Sequence, residues 1–179
     1  LKTNNGCGGH IFCWDKRTFD IHKAVKYLNK SLNLPYYYNK EPHYKAIKPL
    51  IYCEELLDTG TDELPADYKF LCIKGKPAYV VVYTERNIHK RTCMFDMEWN
   101  LKDFIISQRI PKSLPQKPEN FDEMKRIAQV LSEGFDFVRV DLYYHNDRIL
   151  FGELTFTPSG GLLRSYTDEA IKVLGALCD

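Results

Sequence analysis

The residues best suited to act together chemically fall in one stretch, 137–161, which reads FVRVDLYYHNDRILFGELTFTPSGG. Arg139 and Asp141 stand two positions apart, and so do Glu153 and Thr155. Side chains alternate across a strand, so each pair would share a face, with Phe151 on the same face as Glu153 and Thr155. If the strands lie side by side, two carboxylates and a hydroxyl meet on an otherwise apolar surface. Like charges in a half-buried site repel, and the usual remedy is a hard divalent cation ringed by oxygens; magnesium fits best. Alternation alone equally allows a half-exposed hairpin whose carboxylates face water.

Two further groups have the composition to bind anions. The opening residues, LKTNNGCGGHI, place Lys2 at the end of a strand, then Gly6, Gly8 and Gly9 in a turn, with a second strand expected over 10–14. Glycines let successive N–H groups point at one anion, and Lys2 adds a charge. The stretch lacks the G-K-[ST] of a P-loop and the Rossmann spacing, and a tight glycine hairpin by itself is more often only a turn. The run ERNIHKR, 85–91, gathers cations in a loop of a kind that is usually only solvated.

The elements that must position these groups are legible from period and turn chemistry. Phe137, Val138, Val140 and Leu142 open a strand, Asn146-Asp147 breaks it, and Ile149 to Phe156 returns, which predicts an antiparallel hairpin. A second hairpin is predicted from the strand 67–73, the turn Lys74-Gly75-Lys76 and the strand 78–83, and a further strand over 50–57. Helical spacing marks 20–32, with Ile21, Ala24, Val25, Leu28 and Leu32 on one face and Asp20 as cap. It also marks 121–131, with Met124, Ile127, Ala128 and Leu131 inward, and 168–177. The segment 33–50 resists assignment. Its Tyr36, Tyr37, Tyr38, Tyr44 and His43 read as plugs at a core edge, although the tyrosines could stack on a ligand. The segment 92–119, with Trp99, reads as loop-rich and placed to touch a second substrate.

Composition narrows the class. At 179 residues and 44% hydrophobic, the chain can bury a core in one domain or two tightly packed lobes. A net charge of +1 gives no global pull towards nucleic acid or membrane, so local clusters must do any phosphate binding. The cysteines at 7, 13, 53, 72, 93 and 178 form no C-x-x-C pair and read as reduced packing residues of a cytosolic protein. Nothing approaches the length of about 18 apolar residues that a membrane span needs. The chain starts without Met and already inside a motif, so it reads as a fragment with an upstream domain missing.

The pattern R-x-D, a short gap, G-E-x-[NT] and then P-x-G-G resembles the metal-binding end of ATP-grasp enzymes. More narrowly, FVRVDLY and GELTFTPSGG resemble the TupA-like ATP-grasp family, associated with bacterial cell-surface polymers, and the likeness spans nearly the whole chain. It implies an α+β ATP-grasp fold, with lobes 1–64 and 65–179 whose antiparallel sheets clasp ATP. It also implies a glycine-rich hairpin over the triphosphate, an adenine hinge at Glu54, Glu55, Leu56 and Leu57, and Asp67 on the ribose with the basic Lys69 two places on. Lys90 or Arg91 would meet the β- and γ-phosphates, and Arg139 would stabilise charge on the reacting group. Asp141, Glu153 and Thr155 would hold two magnesium ions, or manganese, with Thr155 standing where most ATP-grasp enzymes have asparagine. The implied reaction is ATP-dependent carboxylate–amine ligation in the bacterial cytoplasm or at the membrane periphery. The acceptor would be a surface glycan or its precursor, of teichuronopeptide type. Phosphorylation of a sugar or polyol, and nucleotide binding without turnover, are the rival readings.

Overall fold

Both main hairpins turn where the sequence offers residues tolerant of left-handed backbone. Lys74 and Gly75 have φ of 50° and 74°, and Asn146 and Asp147 have 49° and 57°, the pattern that matches the right-handed twist of paired strands. The computed structural model describes residues 1–6, 9–33, 42–61, 63–86, 90–162 and 164–178; Gly8, Tyr36, Tyr37, Tyr38, His89 and the side chain of His43 lie outside them. The fold is mixed α+β, with antiparallel sheets. It divides into two compact units, Leu1–Leu56 with Ser159–Gly161, and Leu57–Pro158 with Leu162–Asp179.

In the first unit, β1 (Lys2–Thr3) pairs antiparallel with β2 (Ile51–Tyr52). The strand expected over 10–14 reduces to a bridge between His10 and Lys2, and the one expected over 50–57 to the two residues of β2. Backbone bonds from Thr3 to Gly9 and from Ile11 to Leu1, both 2.9 Å, close the glycine turn. Gly9 is needed there: a Cβ would come within 2.4 Å of Thr3 Oγ1, and φ is +61°. Helix α1 (Ile21–Leu32) is capped by Asp20, whose carboxylate accepts from Lys23 N at 2.9 Å. Only Ala24 and Leu28 of its apolar stripe are buried, while Ile21 and Val25 are exposed. Two strands of two residues offer too little surface to cover a whole stripe.

In the second unit, β3 (Asp67–Ile73), β4 (Lys76–Thr84), β5 (Arg91–Asp96), β6 (Leu101–Lys102), β7 (Phe137–His145) and β8 (Arg148–Thr155) form one antiparallel sheet in the order β6-β5-β4-β3-β7-β8. One face packs on helix α2 (Phe121–Ser132) through Phe70, Val80, Val82, Phe95, Val138, Val140 and Leu142 against Phe121, Met124 and Ala128. The loop expected over 92–119 instead begins with the paired strand β5. Trp99 stacks on Phe95 at 4.4 Å and meets Phe121 edge-on at 4.9 Å against this core. The opposite face is apolar at one end, where Leu71, Val81 and Met94 pack against Phe104, Ile105 and helix α3 (Asp168–Cys178). Its other end is polar.

Candidate active site

Pairing across the sheet aligns the polar residues in rows on that face. Tyr83, Asp67 and Tyr143 are register partners, as are Val81, Lys69, Asp141 and Glu153, and then Leu71, Arg139 and Thr155. Alternation along β3, β7 and β8 keeps these side chains away from the α2 core. One interruption matters. Asp141 pairs with Glu153 but Leu142 pairs with Phe151, so Gly152 is an extra residue in β8. The expected shared face of Phe151 and Glu153 is thereby corrected: the bulge shifts the alternation and Phe151 falls in register with Leu142. Only glycine fits the bulge, because a Cβ on it would lie 2.9 Å from the Asp141 carbonyl oxygen and 3.2 Å from Tyr143.

Charge is densest around Asp141, which is 1% exposed. Arg139 donates through Nε to Asp141 Oδ1 at 2.6 Å and through Nη2 to Oδ2 at 2.7 Å. The same Nη2 lies 3.1 Å from Glu153 Oε1 and 2.9 Å from Thr155 Oγ1, and Thr155 donates to Glu153 at 2.9 Å. Lys69 donates to Asp141 Oδ2 and pairs with Asp67 Oδ2 at 2.8 Å. Burial alone would pull the Lys69 ammonium down, but Asp67 and Asp141 outweigh it and hold the group above its ordinary value. Arg139 is raised in the same way, burial opposing and Asp141 and Glu153 prevailing. Asp67 is 3% exposed, and its Oδ1 is buried without a hydrogen-bond partner among the described residues. Such an orphan acceptor costs about 1–3 kcal/mol unless a donor reaches it.

Around this cluster stand Tyr83, Tyr143 and Arg86, which sequence reasoning did not single out as site residues. The Lys69 and Lys90 ammonium groups lie 5.3 and 4.4 Å from the Tyr83 ring centroid. Arg86 sits 5.6 Å from the Tyr143 ring centroid and 3.7 Å from Asp67 Oδ2. Lys90 is pulled below its ordinary value, first by burial and then by Arg109, Lys69 and Arg86. Burial raises the Tyr83, Tyr143 and Tyr166 hydroxyls, which stay neutral. Arg91 is tied elsewhere, donating to the Gln108 carbonyl at 2.9 Å and facing Glu85 at 3.7 Å. Of the expected site residues, the second unit brings Asp67, Lys69, Arg139, Asp141, Glu153 and Thr155 together, with Lys90 linked to Lys69 through Tyr83. Lys2, Gly6, Gly9, Glu54, Glu55 and Leu56 belong to the first unit, where Lys2 pairs with Glu54 at 2.6 Å. Leu57 is the first residue of the second unit.

Oxygen is the donor that a hard divalent cation takes. Asp141, Glu153 and Thr155 aim three oxygens at one point, and a cationic nitrogen of Arg139 stands there. Among the described residues no group of three or more His, Cys, Asp and Glu side chains could by itself hold a metal. Water or phosphate oxygens would have to complete the shell, as is usual for magnesium.

A family model described as TupA-like ATPgrasp matches residues 1–178, essentially the whole chain. The chain belongs to the TupA-like ATP-grasp family. Membership in this family points to an ATP-dependent enzyme of the ligase or kinase type and, in general, to the use of ATP with a divalent metal. No curated protein and no solved structure matches. Among the described residues no helix is long and apolar enough to cross a membrane.

Proposed function

We propose that the protein is an ATP- and magnesium-dependent carboxylate–amine ligase that works through an acyl phosphate. The observation that carries this reading is the convergence of Arg139, Asp141, Glu153 and Thr155 on one sheet face of a TupA-like ATP-grasp chain. The substrate carboxylate attacks the γ-phosphorus of ATP. The bond from that phosphorus to the β–γ bridging oxygen breaks, and ADP departs with the electron pair. An amine then adds to the acyl carbon, and collapse expels inorganic phosphate, which carries off the amine's proton and leaves an amide.

Asp141, Glu153 and Thr155 would hold the metal, which supplies charge neutralisation for the transferring phosphoryl group. Arg139, charged at any working pH, would meet the negative charge that develops on the reacting acyl group. The unpartnered Oδ1 supports Asp67 as acceptor for a ribose hydroxyl. Lys90, which makes no ion pair among the described residues, suits a phosphate better than Arg91, which is already bonded. Lys69 is the internal counter-ion of both carboxylates. Lys2 with Gly6, Gly8 and Gly9 for the phosphates, and Glu54 to Leu57 for the adenine, complete the proposal. Lys2 would first have to leave Glu54. An acceptor among bacterial surface glycans or their precursors rests on the family alone.

The test is ADP release from ATP with candidate acids, with and without amines. Release that requires both acid and amine supports the ligase. A stable phosphorylated product formed without amine identifies a kinase and refutes it, and absence of turnover with every pair tried also counts against it.

A further inference from the structure

Arg139 Nη2 occupies the point towards which Asp141 Oδ2, Glu153 Oε1 and Thr155 Oγ1 converge, at 2.7, 3.1 and 2.9 Å. Those same oxygens are the donors a divalent cation would use, at the shorter distance of about 2.0–2.1 Å that magnesium demands. The guanidinium nitrogen and a metal cannot both stand at that point, whereas Asp141 Oδ2 can keep its hydrogen bond from Lys69 on its other lone pair. We infer that Arg139 and the divalent cation are alternative occupants of one position: Arg139 fills it in the nucleotide-free protein, and metal entry displaces the guanidinium. This rests on the metal reading given above.

The charges agree. Asp67, Asp141 and Glu153 face Lys69 and Arg139, which leaves one net negative charge, and Arg86 at 3.7 Å from Asp67 brings the cluster to neutrality. A neutral cluster has little pull on a bare cation. Nucleotide phosphates supply the missing negative charge, so metal and nucleotide enter together. The two internal cations differ in their freedom. Lys69 is wedged between two buried carboxylates, Asp67 and Asp141. Arg139 reaches out to Glu153, whose side chain is 62% exposed. The arginine is therefore the exchangeable one, and its release points a freed guanidinium at the reacting group only when metal is in place.

The experiment is Mn²⁺ binding without nucleotide, followed by electron paramagnetic resonance, in the wild type, Arg139→Met and Glu153→Gln. If Arg139 fills the position most of the time, its removal raises apparent affinity by the inverse of the vacant fraction, so Arg139→Met should bind at least about tenfold more tightly. Glu153→Gln should weaken binding. A second measurement uses the wild type alone. The Arg139 Nε–H resonance, bonded to Asp141, should shift and exchange faster once Mg²⁺ and a non-hydrolysable ATP analogue are both added, and stay put with either alone. Equal or weaker Mn²⁺ affinity in folded Arg139→Met overturns the inference while leaving the metal site standing if Glu153→Gln still loses binding. An Nε resonance unmoved by Mg²⁺ with the analogue also overturns it, and decides the matter should Arg139→Met fail to fold. No Mn²⁺ binding in any variant, with or without the analogue, refutes the metal reading and this inference together.

Discussion

Replacing Lys69 by Met tests whether the site is held together by its own internal counter-ion. The side chain is 10% exposed and its ammonium touches Asp67 and Asp141, both of them buried. Methionine keeps the volume and removes the charge, so two buried carboxylates are left facing each other with only Arg139 and the more distant Arg86. Breaking a buried pair in this way costs about 3–5 kcal/mol, a large share of the roughly 5–15 kcal/mol that stabilises a typical domain. For a chain of this length each kcal/mol moves the midpoint by about 2–4 °C, so Tm should fall by roughly 6–20 °C. The pH dependence has a definite sign. Because Lys69 is held above its ordinary 10.5, its contribution is complete below that pH and is lost only as the pH rises through the folded value. The gap between wild type and variant should therefore stay level from pH 7 to 9 in thermal and urea unfolding. Adding Asp67→Asn to Lys69→Met should restore part of the loss, since the two residues share one interaction. A loss below about 1 kcal/mol, or a double variant as unstable as the sum of the singles, would refute the reasoning.

Other outcomes follow from the same geometry. Glu153→Gln keeps the volume of an exposed side chain, so it should abolish most magnesium-dependent ATP turnover while leaving Tm within a few degrees, measured side by side. Asp67→Ala should weaken ATP binding by about 1–3 kcal/mol and hardly change affinity for inorganic triphosphate; equal losses in calorimetry would move Asp67 away from the ribose. Gly152→Ala would push a methyl into the Asp141 carbonyl and should cost roughly 1–3 kcal/mol in urea unfolding, with reduced Mn²⁺ binding as Glu153 shifts. Burial raises the Cys72 and Cys93 thiols from 9.0 to about 11, so the unfolded state releases their protons first, and stability should decline as the pH climbs from 9 towards 11. Cys72→Ser and Cys93→Ser should flatten that decline.

What was legible in the sequence was local. Asn146-Asp147 and Lys74-Gly75 announce their turns, and the spacing of Met124, Ala128 and their neighbours announces α2, because each signal is carried by residues close together in the chain. Strand β5 gives no local signal, because the charged run 85–91 at its start contains no glycine to mark a turn. The strand expected over 50–57 shrinks to Ile51–Tyr52 because only those two residues find a partner strand, and Glu54 pairs with Lys2 through its side chain instead. The pairing of Asp141 with Glu153 within one hairpin could be foreseen. That of Lys69 with Asp141 spans 72 positions and depends on β3 lying beside β7, which no local pattern specifies. The same holds for Tyr83, which faces Lys69 only through the register of β4 and the irregularity near Cys72. Trp99 gives no sign in the sequence of its partners, because Phe95 and Phe121, which take its face and its edge, meet it only through the fold.

The extra residue at Gly152 works as a change of reading frame within one strand. From Arg148 to Phe151 the pleat runs in one phase, and from Glu153 to Thr155 in the other. The turn half of the hairpin and its polar half are thus decoupled: residues can be gained or lost near Asn146-Asp147 in matched pairs without moving the carboxylate, whereas an insertion of one residue between Gly152 and Thr155 would swap the polar and the oily sides of everything beyond it. Counting positions between Asp141 and Glu153 is accordingly a poor way to find the equivalent carboxylate in another chain. Following the ladder of paired residues across the sheet is the sound one.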